Sequence, residues 1–358
     1  MSRPRSKHVT LADVARQSGF SPSTVSIVLN EAPLSRHVAA RTKQHIRETA
    51  KALGYHPDAS ARSLRSRHSR TIGVLVFDIS DPFCTLILRG IEKALDPTGY
   101  LPVIMDAHND HKQLEGYLQL LMERRVEGLI VVANWLFEEG GVLFEILKDS
   151  FPTIVVGRDL AHDRIRSVIV DNEAGGYAAL EHLYQLGHRK IAFILGPEKL
   201  SDSNRRWQGM QRFAAEHSLS LDLRRVRRMV EALDPFSGFT GGLELTEDLL
   251  RSRIKFTALV AFDDLTALGA LRALAGAGLN VPGDCSLVGF DDAPLAAFCT
   301  PGLTTIRQPM EDMGAVATRW ILKAALGDGA EEAEVPSSVA HMLAPSVVVR
   351  DSTRKIDS

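Results

Sequence analysis

The residues of this chain able to do chemistry fall into two groups. Near the N-terminus, Thr10 and Ser21 each open a helical pattern, where a hydroxyl and the free amides behind it can hold a phosphate. Ser26 and Asn30 fall near the exposed side of the second pattern, within reach of a nucleic-acid backbone. Pro22, Ser23 and Ile27 fall where such a helix reaches base edges. Further along, Asp78, Phe83, Asp263 and Asp291 each follow a short apolar strand. Open α/β sheets bind ligands beyond their strand C-termini. Carboxylates beside an aromatic face suit the hydroxyls and C–H surface of a sugar. Each residue also has a plainer reading: a serine as a helix cap, Asp263 or Asp291 as the cap of the helix that follows, Phe83 as core.

Other chemistries lack their signatures. No Gly-x-Gly-x-x-Gly follows a strand, and the chain has no phosphate loop, His-Glu-x-x-His or Gly-x-Ser-x-Gly. His108 and His111 beside Asp106 and Asp110 read as a solvated loop. Cys84, Cys285 and Cys299 have no metal spacing and suit a reducing compartment. Neither an enzyme nor a cofactor nor a metal is expected.

The charge is divided unevenly. Residues 1–70 hold 13 Lys and Arg against 4 Asp and Glu, a balance of +9, and the remainder holds 29 against 40, a balance of −11. An anionic partner is therefore expected for the N-terminal part alone, nucleic acid ahead of an anionic membrane surface. With 358 residues, 45% apolar and 24% charged, two or three globular domains are expected. No apolar run reaches a membrane span and none follows the basic N-terminus, so a cytoplasmic protein without membrane contact is expected.

The elements that must position these residues are of two kinds. Thr10-Leu-Ala-Asp13 fits a capping box, Leu11, Val14 and Ala15 an apolar face, and Gly19 a helix stop. Ser21-Pro22 restarts a helix, with Val25, Val28 and Leu29 as its buried stripe. A third helix runs to about Leu53, its apolar positions being Val38, Ile46, Ala50 and Leu53. Together these make a helix-turn-helix headpiece over 8–55. Residues 56–70, with Arg62, Arg65, Arg67 and Arg70, read as a basic linker carrying a short helix. From Thr71, strands such as Thr71–Phe77, Gly128–Val132 and Ser286–Gly289 alternate with amphipathic helices, which implies parallel sheets covered on both faces and two similar subdomains.

Val9-Thr-Leu-Ala-Asp-Val-Ala-Arg-Gln-Ser-Gly-Phe-Ser-Pro-Ser-Thr-Val-Ser26 resembles the DNA-binding motif of the lac/gal repressor family of bacterial transcriptional regulators. Gly54-Tyr-His-Pro57 with Ala61-Arg-Ser-Leu64, Ile72–Val76 with Asp78–Phe83, Leu186–Ile191, Val288–Asp292, Leu303–Gln308 and Val349–Thr353 are similar to further family blocks, in the family order. The resemblance spans nearly the whole chain.

It implies a small all-α helix-turn-helix headpiece, a hinge helix over 56–70, and an α/β effector-binding and dimerisation core over 71–353. The core is of periplasmic-binding-protein type, with two Rossmann-like subdomains joined by three crossovers. The expected division is about 71–168 with 300–330, and about 169–299 with 331–353. The implied function is sequence-specific, palindromic operator binding by a homodimeric repressor, modulated by a carbohydrate-like effector in the cleft between subdomains. The implied DNA-binding set is Thr10, Leu11, Ser21, Pro22, Ser23, Thr24, Ser26, Ile27, Asn30, Tyr55, Ala61 and Leu64. Leu64 matches the family's minor-groove wedge and Ala61 is small enough to sit beside it. Ile27 stands where most members carry arginine, and Asp58 where asparagine is common. The implied effector set is Asp78, Phe83, Arg206, Asp263 and Asp291. Arg206 heads the family pattern Arg206-Trp-Gln-Gly209, its plainer reading being a surface salt bridge. Without a leucine-heptad tail before Ser358, a dimer is expected rather than a coiled-coil tetramer. The rivals are an effector other than a sugar, a pure ligand-binding protein, and a sugar-processing enzyme.

Overall fold

The computed structural model describes residues 9–30, 33–55, 68–108, 110–133, 152–159, 165–230, 236–326 and 340–356. The chain divides into two compact units, Met1–Ser69 and Arg70–Ser358.

In the first unit, α1 (Leu11–Ser18), α2 (Pro22–Leu29) and α3 (Ala40–Ala52) follow the sequence expectation, except that Val38 precedes α3 and Leu53 caps its end, both packing partly against the core. The capping box closes at both ends. Thr10 Oγ1 accepts from the Asp13 amide at 3.3 Å, and the Thr10 amide donates to Asp13 Oδ2 at 3.0 Å. Gly19 takes φ 74°, the left-handed turn that ends α1 and lets Ser21 cap α2. Val14, Ala15, Val25, Val28, Ile46 and Ala50 bury together where the three helices meet. The connection to α3 holds a 3₁₀ turn, Pro33–His37.

The second unit opens with β1 (Thr71–Val76), α4 (Pro82–Leu95), β2 (Leu101–Asp106), α5 (His111–Glu123), β3 (Leu129–Val132), β4 (Thr153–Val156) and β5 (Ile165–Val170). It continues with α6 (Asn172–Gln185), β6 (Ile191–Leu195), α7 (Ser201–Glu216), β7 (Val226–Arg228), α8 (Ser237–Arg251), β8 (Ala258–Val260) and α9 (Asp264–Gly276). It ends with β9 (Ser286–Asp291), α10 (Pro294–Phe298), β10 (Thr304–Arg307), α11 (Met310–Leu326), β11 (Ala340–Leu343) and β12 (Ser346–Val348).

The strands form two six-stranded sheets, ordered β11-β5-β4-β3-β1-β2 and β12-β10-β9-β8-β6-β7. Each sheet thus repeats one doubly wound order with a late strand added at its edge. The described ladders are parallel except β10 with β12. β3, β4 and β6 are buried along their whole length, as central strands covered on both faces must be. Ile87, Ile91, Met313 and Trp320 of α4 and α11 cover one face of the first sheet, and Leu118 and Leu121 of α5 the other.

The expected division of the C-terminal third needs correction. β10 belongs to the second sheet although the expected division places 300–330 in the first subdomain, and β11 to the first although it places 331–353 in the second. The chain crosses between subdomains after β5, after β10 and between β11 and β12. β10 and β11 are strands of four residues, β10 pairing with the preceding strand β9 and with β12, and β11 with the distant β5, so their own short patterns do not reveal which sheet takes them.

The segment after β12 is stitched back onto the second subdomain through His188, which is fully buried. Its Nε2 lies 3.2 Å from the Arg354 carbonyl, an acceptor only, so this nitrogen carries the hydrogen. Nδ1 is then left to accept from the Thr257 hydroxyl at 2.9 Å. Burial holds the His188 pKa below the ordinary 6.5, and burial of His182 acts in the same direction. The neutral ring is thus the folded form. Its contribution is complete above the unfolded pKa and is lost as pH falls through about 6.5, where the unfolded chain takes up the proton first. Urea midpoints measured from pH 8 to pH 5 should fall over the lower part of this range, and less steeply in His188→Gln.

Candidate functional site

The two sheets meet the cleft with their C-terminal edges, where the strand order reverses. A cavity of about 40 Å³ lies there. The first subdomain lines it with the turn after β1 (Asp81, Phe83) and the segment after β4 (Gly157, Arg158), and the second with Asp202, Arg206, Phe262, Asp263, Asp264 and Asp291. Gln308, on the crossover that leaves β10, completes one side.

Four of the five residues expected at the effector site, Phe83, Arg206, Asp263 and Asp291, are brought together here. Asp78 is not among the lining residues. It accepts from the Ser80 amide and hydroxyl at 2.8 and 2.6 Å, forming a turn that carries Asp81 to the cleft as the N-cap of α4. The ring of Phe83 lies against Gly157, whose φ of 95° and missing side chain leave it room. A Cβ there would sit 2.4 Å from the Ala133 carbonyl and 3.1 Å from the ring.

Arg206 is 6% exposed and held on every side. Its Nε donates to Asn172 Oδ1 at 2.8 Å, Nη1 donates to the Phe262 carbonyl at 2.6 Å, and Nη2 stands 3.9 Å from Asp291 Oδ1. Its Cζ lies 3.5 Å over the Phe290 ring and 4.9 Å from that of Phe262. The surface-salt-bridge reading of Arg206 is thereby excluded. Burial lowers its pKa, against the pull of Asp291 and Asp202.

The three carboxylates opposite have separate duties. Asp263 caps α9, accepting from the Thr266 amide at 2.7 Å. Asp264 accepts from the Thr305 hydroxyl at 2.6 Å and the Ala293 amide at 2.8 Å, in room left by Gly289. Asp291 takes Gln308 Nε2 at 2.6 Å on Oδ1. Its φ of 118° is one that side chains rarely adopt, and such strain persists only where neighbours over-determine it. Burial raises all three pKa values, that of Asp264 to about 8. At neutral pH Asp264 therefore favours its protonated form, in which a carboxyl is a donor as well as an acceptor.

In the headpiece, Pro22 and Ser23 are exposed at the start of α2, and Ser26 and Ile27 are half-buried. Ser21 Oγ and Thr24 Oγ1 are hydrogen-bonded at 2.8 Å, and Asn30 Nδ2 donates to the Ser26 carbonyl at 2.8 Å. The hydroxyl pair thus orders the start of α2 and the Asn30 amide its end. Thr10 is exposed, whereas Leu11 and Tyr55 pack partly against the headpiece core. Ala61 and Leu64, with Asp58 and residues 56–67 of the hinge, lie outside the described residues.

Residues 10–58 match the model described as "Bacterial regulatory proteins, lacI family", and residues 180–353 match the "Periplasmic binding protein-like domain". The transcriptional repressor PurR of Pectobacterium carotovorum subsp. carotovorum (strain PC1) is 34% identical over 317 residues, 87% of this chain and 89% of its own. This chain belongs to the LacI family. Its fold superposes on the lac repressor dimer bound to operator and the anti-inducer ONPF with TM-score 0.81, at 26% identity over 97% of this chain and 100% of that one. A complex of the transcriptional regulator CelR with cellobiose matches with TM-score 0.67, at 27% identity over 96% and 99%.

This LacI-family chain is a DNA-binding transcriptional regulator with an effector-binding domain. Among the described residues no helix is long and apolar enough to cross a membrane. Sequence reasoning missed Asp81, Arg158, Asp202, Asp264 and Gln308 in the cleft. Asp264 was within reach, since Asp263 and Asp264 stand side by side where the segment after β8 opens α9. Arg158 and Asp202 carried no local signal, because they face each other only when the two subdomains meet.

Proposed function

We propose that the protein is a repressor acting as a homodimer on a palindromic operator, its affinity set by a small polyhydroxylated, carbohydrate-like effector held in the cleft. The observation that carries this reading is that Asp263, Asp264 and Asp291 line one cavity together with Phe83 at the switch points of both sheets. Paired acceptors and donors suit hydroxyls, and a ring face suits sugar C–H groups. The related CelR structure holds cellobiose, which favours the same class. Exposed apolar residues support a second copy as partner: Leu101 and Ile104 on edge strand β2, Leu223 just before edge strand β7, and Val230 and Phe236 after it.

Selection of bound duplexes from a random library at fixed salt, with and without a pool of mono- and disaccharides, tests this reading. A palindrome with half-sites about one helical turn apart is expected, its enrichment changed by the sugars. A monomeric site, or a palindrome indifferent to every sugar, would refute the dimer or the effector class respectively.

Within that operator, Ile27 is expected to read a base other than the guanine that an arginine would contact. Its half-buried side chain offers no hydrogen bond but can pack on a thymine methyl. Ile27→Arg should shift the preference at that position towards guanine, and Ile27→Ala should weaken thymine discrimination by about 1 kcal/mol. Unchanged selection profiles for both variants would exclude a role in readout.

A further inference from the structure

At the cleft mouth the walls carry complementary charges in crossed order. The first subdomain presents Arg158-Asp159 immediately after Gly157, at the end of β4. The second presents Asp202 and Arg205, three residues apart on α7 and so on one side of that helix. Arg158 pairs with Asp202 across the cleft, and Arg205 lies 3.4 Å from Asp159. The two pairs differ in environment. The Arg158 side chain is 1% exposed and that of Asp202 18%, whereas Arg205 and Asp159 are 42% and 34% exposed.

The space behind them is small. By the measure in which one water needs roughly 10–15 Å³, the cavity of about 40 Å³ has room for about three waters. We propose that the crossed pairs Arg158–Asp202 and Arg205–Asp159 are a lock that holds the subdomains together, so that an effector enters only after both pairs have parted. The proposal rests on reading this cleft as the effector site and adds the gate to it. The inner pair is shielded from solvent and salt, so its attraction is the less screened of the two and it carries more of the closure. The outer pair is open to solvent and salt and contributes little alone, but its reversed polarity fixes which residues meet. A neutral effector re-forms the lock as the walls return, and an anionic one competes with Asp202 for Arg158.

Amide hydrogen exchange on the full-length protein, without DNA or effector, tests the lock. Asp202→Asn should raise exchange about tenfold or more at Val156–Asp159 and Asp81–Phe83 on the opposite wall, with β1 and β6 unchanged. The opposite wall is the deciding readout, because simple fraying of the first turn of α7 would accelerate only residues 200–206. The exposed pair supplies a variant without folding risk. Asp159→Arg should loosen both walls by a smaller factor, and adding Arg205→Asp should restore wild-type exchange by rebuilding the pair in reverse. Unchanged exchange on the opposite wall in Asp202→Asn, or no rescue by the swap, would overturn the proposal. Neither result touches the operator selection, so the lock and the functional reading stand or fall separately.

Discussion

Replacing Arg206 by methionine is expected to lower the stability of the core by about 3–5 kcal/mol and to abolish the effector response. Methionine keeps the length of the side chain but leaves Asn172 Oδ1 and the Phe262 carbonyl without their donor, and both partners lie in the buried interior. It also removes the charge that holds the Asp291 pKa down, so the carboxyl of Asp291, already raised by burial, binds its proton more tightly still. Lysine should not rescue the site, because an ammonium cannot reach two acceptors in the plane of a fork or stack on Phe290. Urea denaturation gives the comparison directly. Arg205→Gln, one residue earlier and half-exposed, should stay within about 0.5 kcal/mol of wild type. A loss below about 1 kcal/mol for Arg206→Met would show that the network is dispensable to folding.

Replacing Gly209 by valine is expected to cost about 3 kcal/mol, the upper end of the overpacking range, although valine is the better helix former. The cause lies where α6 crosses α7. A Cβ at Gly209 would stand 1.9 Å from the Glu173 carbonyl, and one at Gly176 would stand 1.9 Å from the Arg206 carbonyl. Each helix therefore offers a glycine to the backbone of the other. The same reciprocity recurs where α4 meets α11, through Gly90 and Gly314, and where α8 meets α9, through Gly242 and Gly269. At Gly209 the cost extends to function, because Arg206 lies one turn away on α7 and moves with it. Thermal melting should show a lowered midpoint for Gly209→Val. An unchanged midpoint would mean that the helices separate without penalty.

These glycines mark the boundary between what was legible in the residues and what was not. Helix-interior glycines at 90, 176, 209, 242, 269 and 314 oppose helix propensity, and that conflict signals a packing reason without naming the partner.

The local grammar by itself determined the headpiece and the class of the core. Thr10, Gly19, Ser21 and Pro22 act within four residues of themselves, so their caps and turns are complete in the sequence. The alternation of strands and helices likewise implied two doubly wound layers, and the ordered motifs implied the family. Tertiary structure alone decided which sheet takes β10 and β11, since β11 pairs with β5 far back in the chain and β10 is held between β9 and the late strand β12. It alone moved the first cleft carboxylate from Asp78 to Asp81, because a three-residue turn sets which one faces inward. It alone joined Arg158 to Asp202 and Asp264 to Thr305, pairs whose members carry no mark of each other until two subdomains, or a helix and a strand, are folded together. Helix caps such as those of Thr10 and Ser21 are short-range, so a sequence writes them out. A cleft between two subdomains is built from long-range contacts, and only the folded chain shows which charges close it.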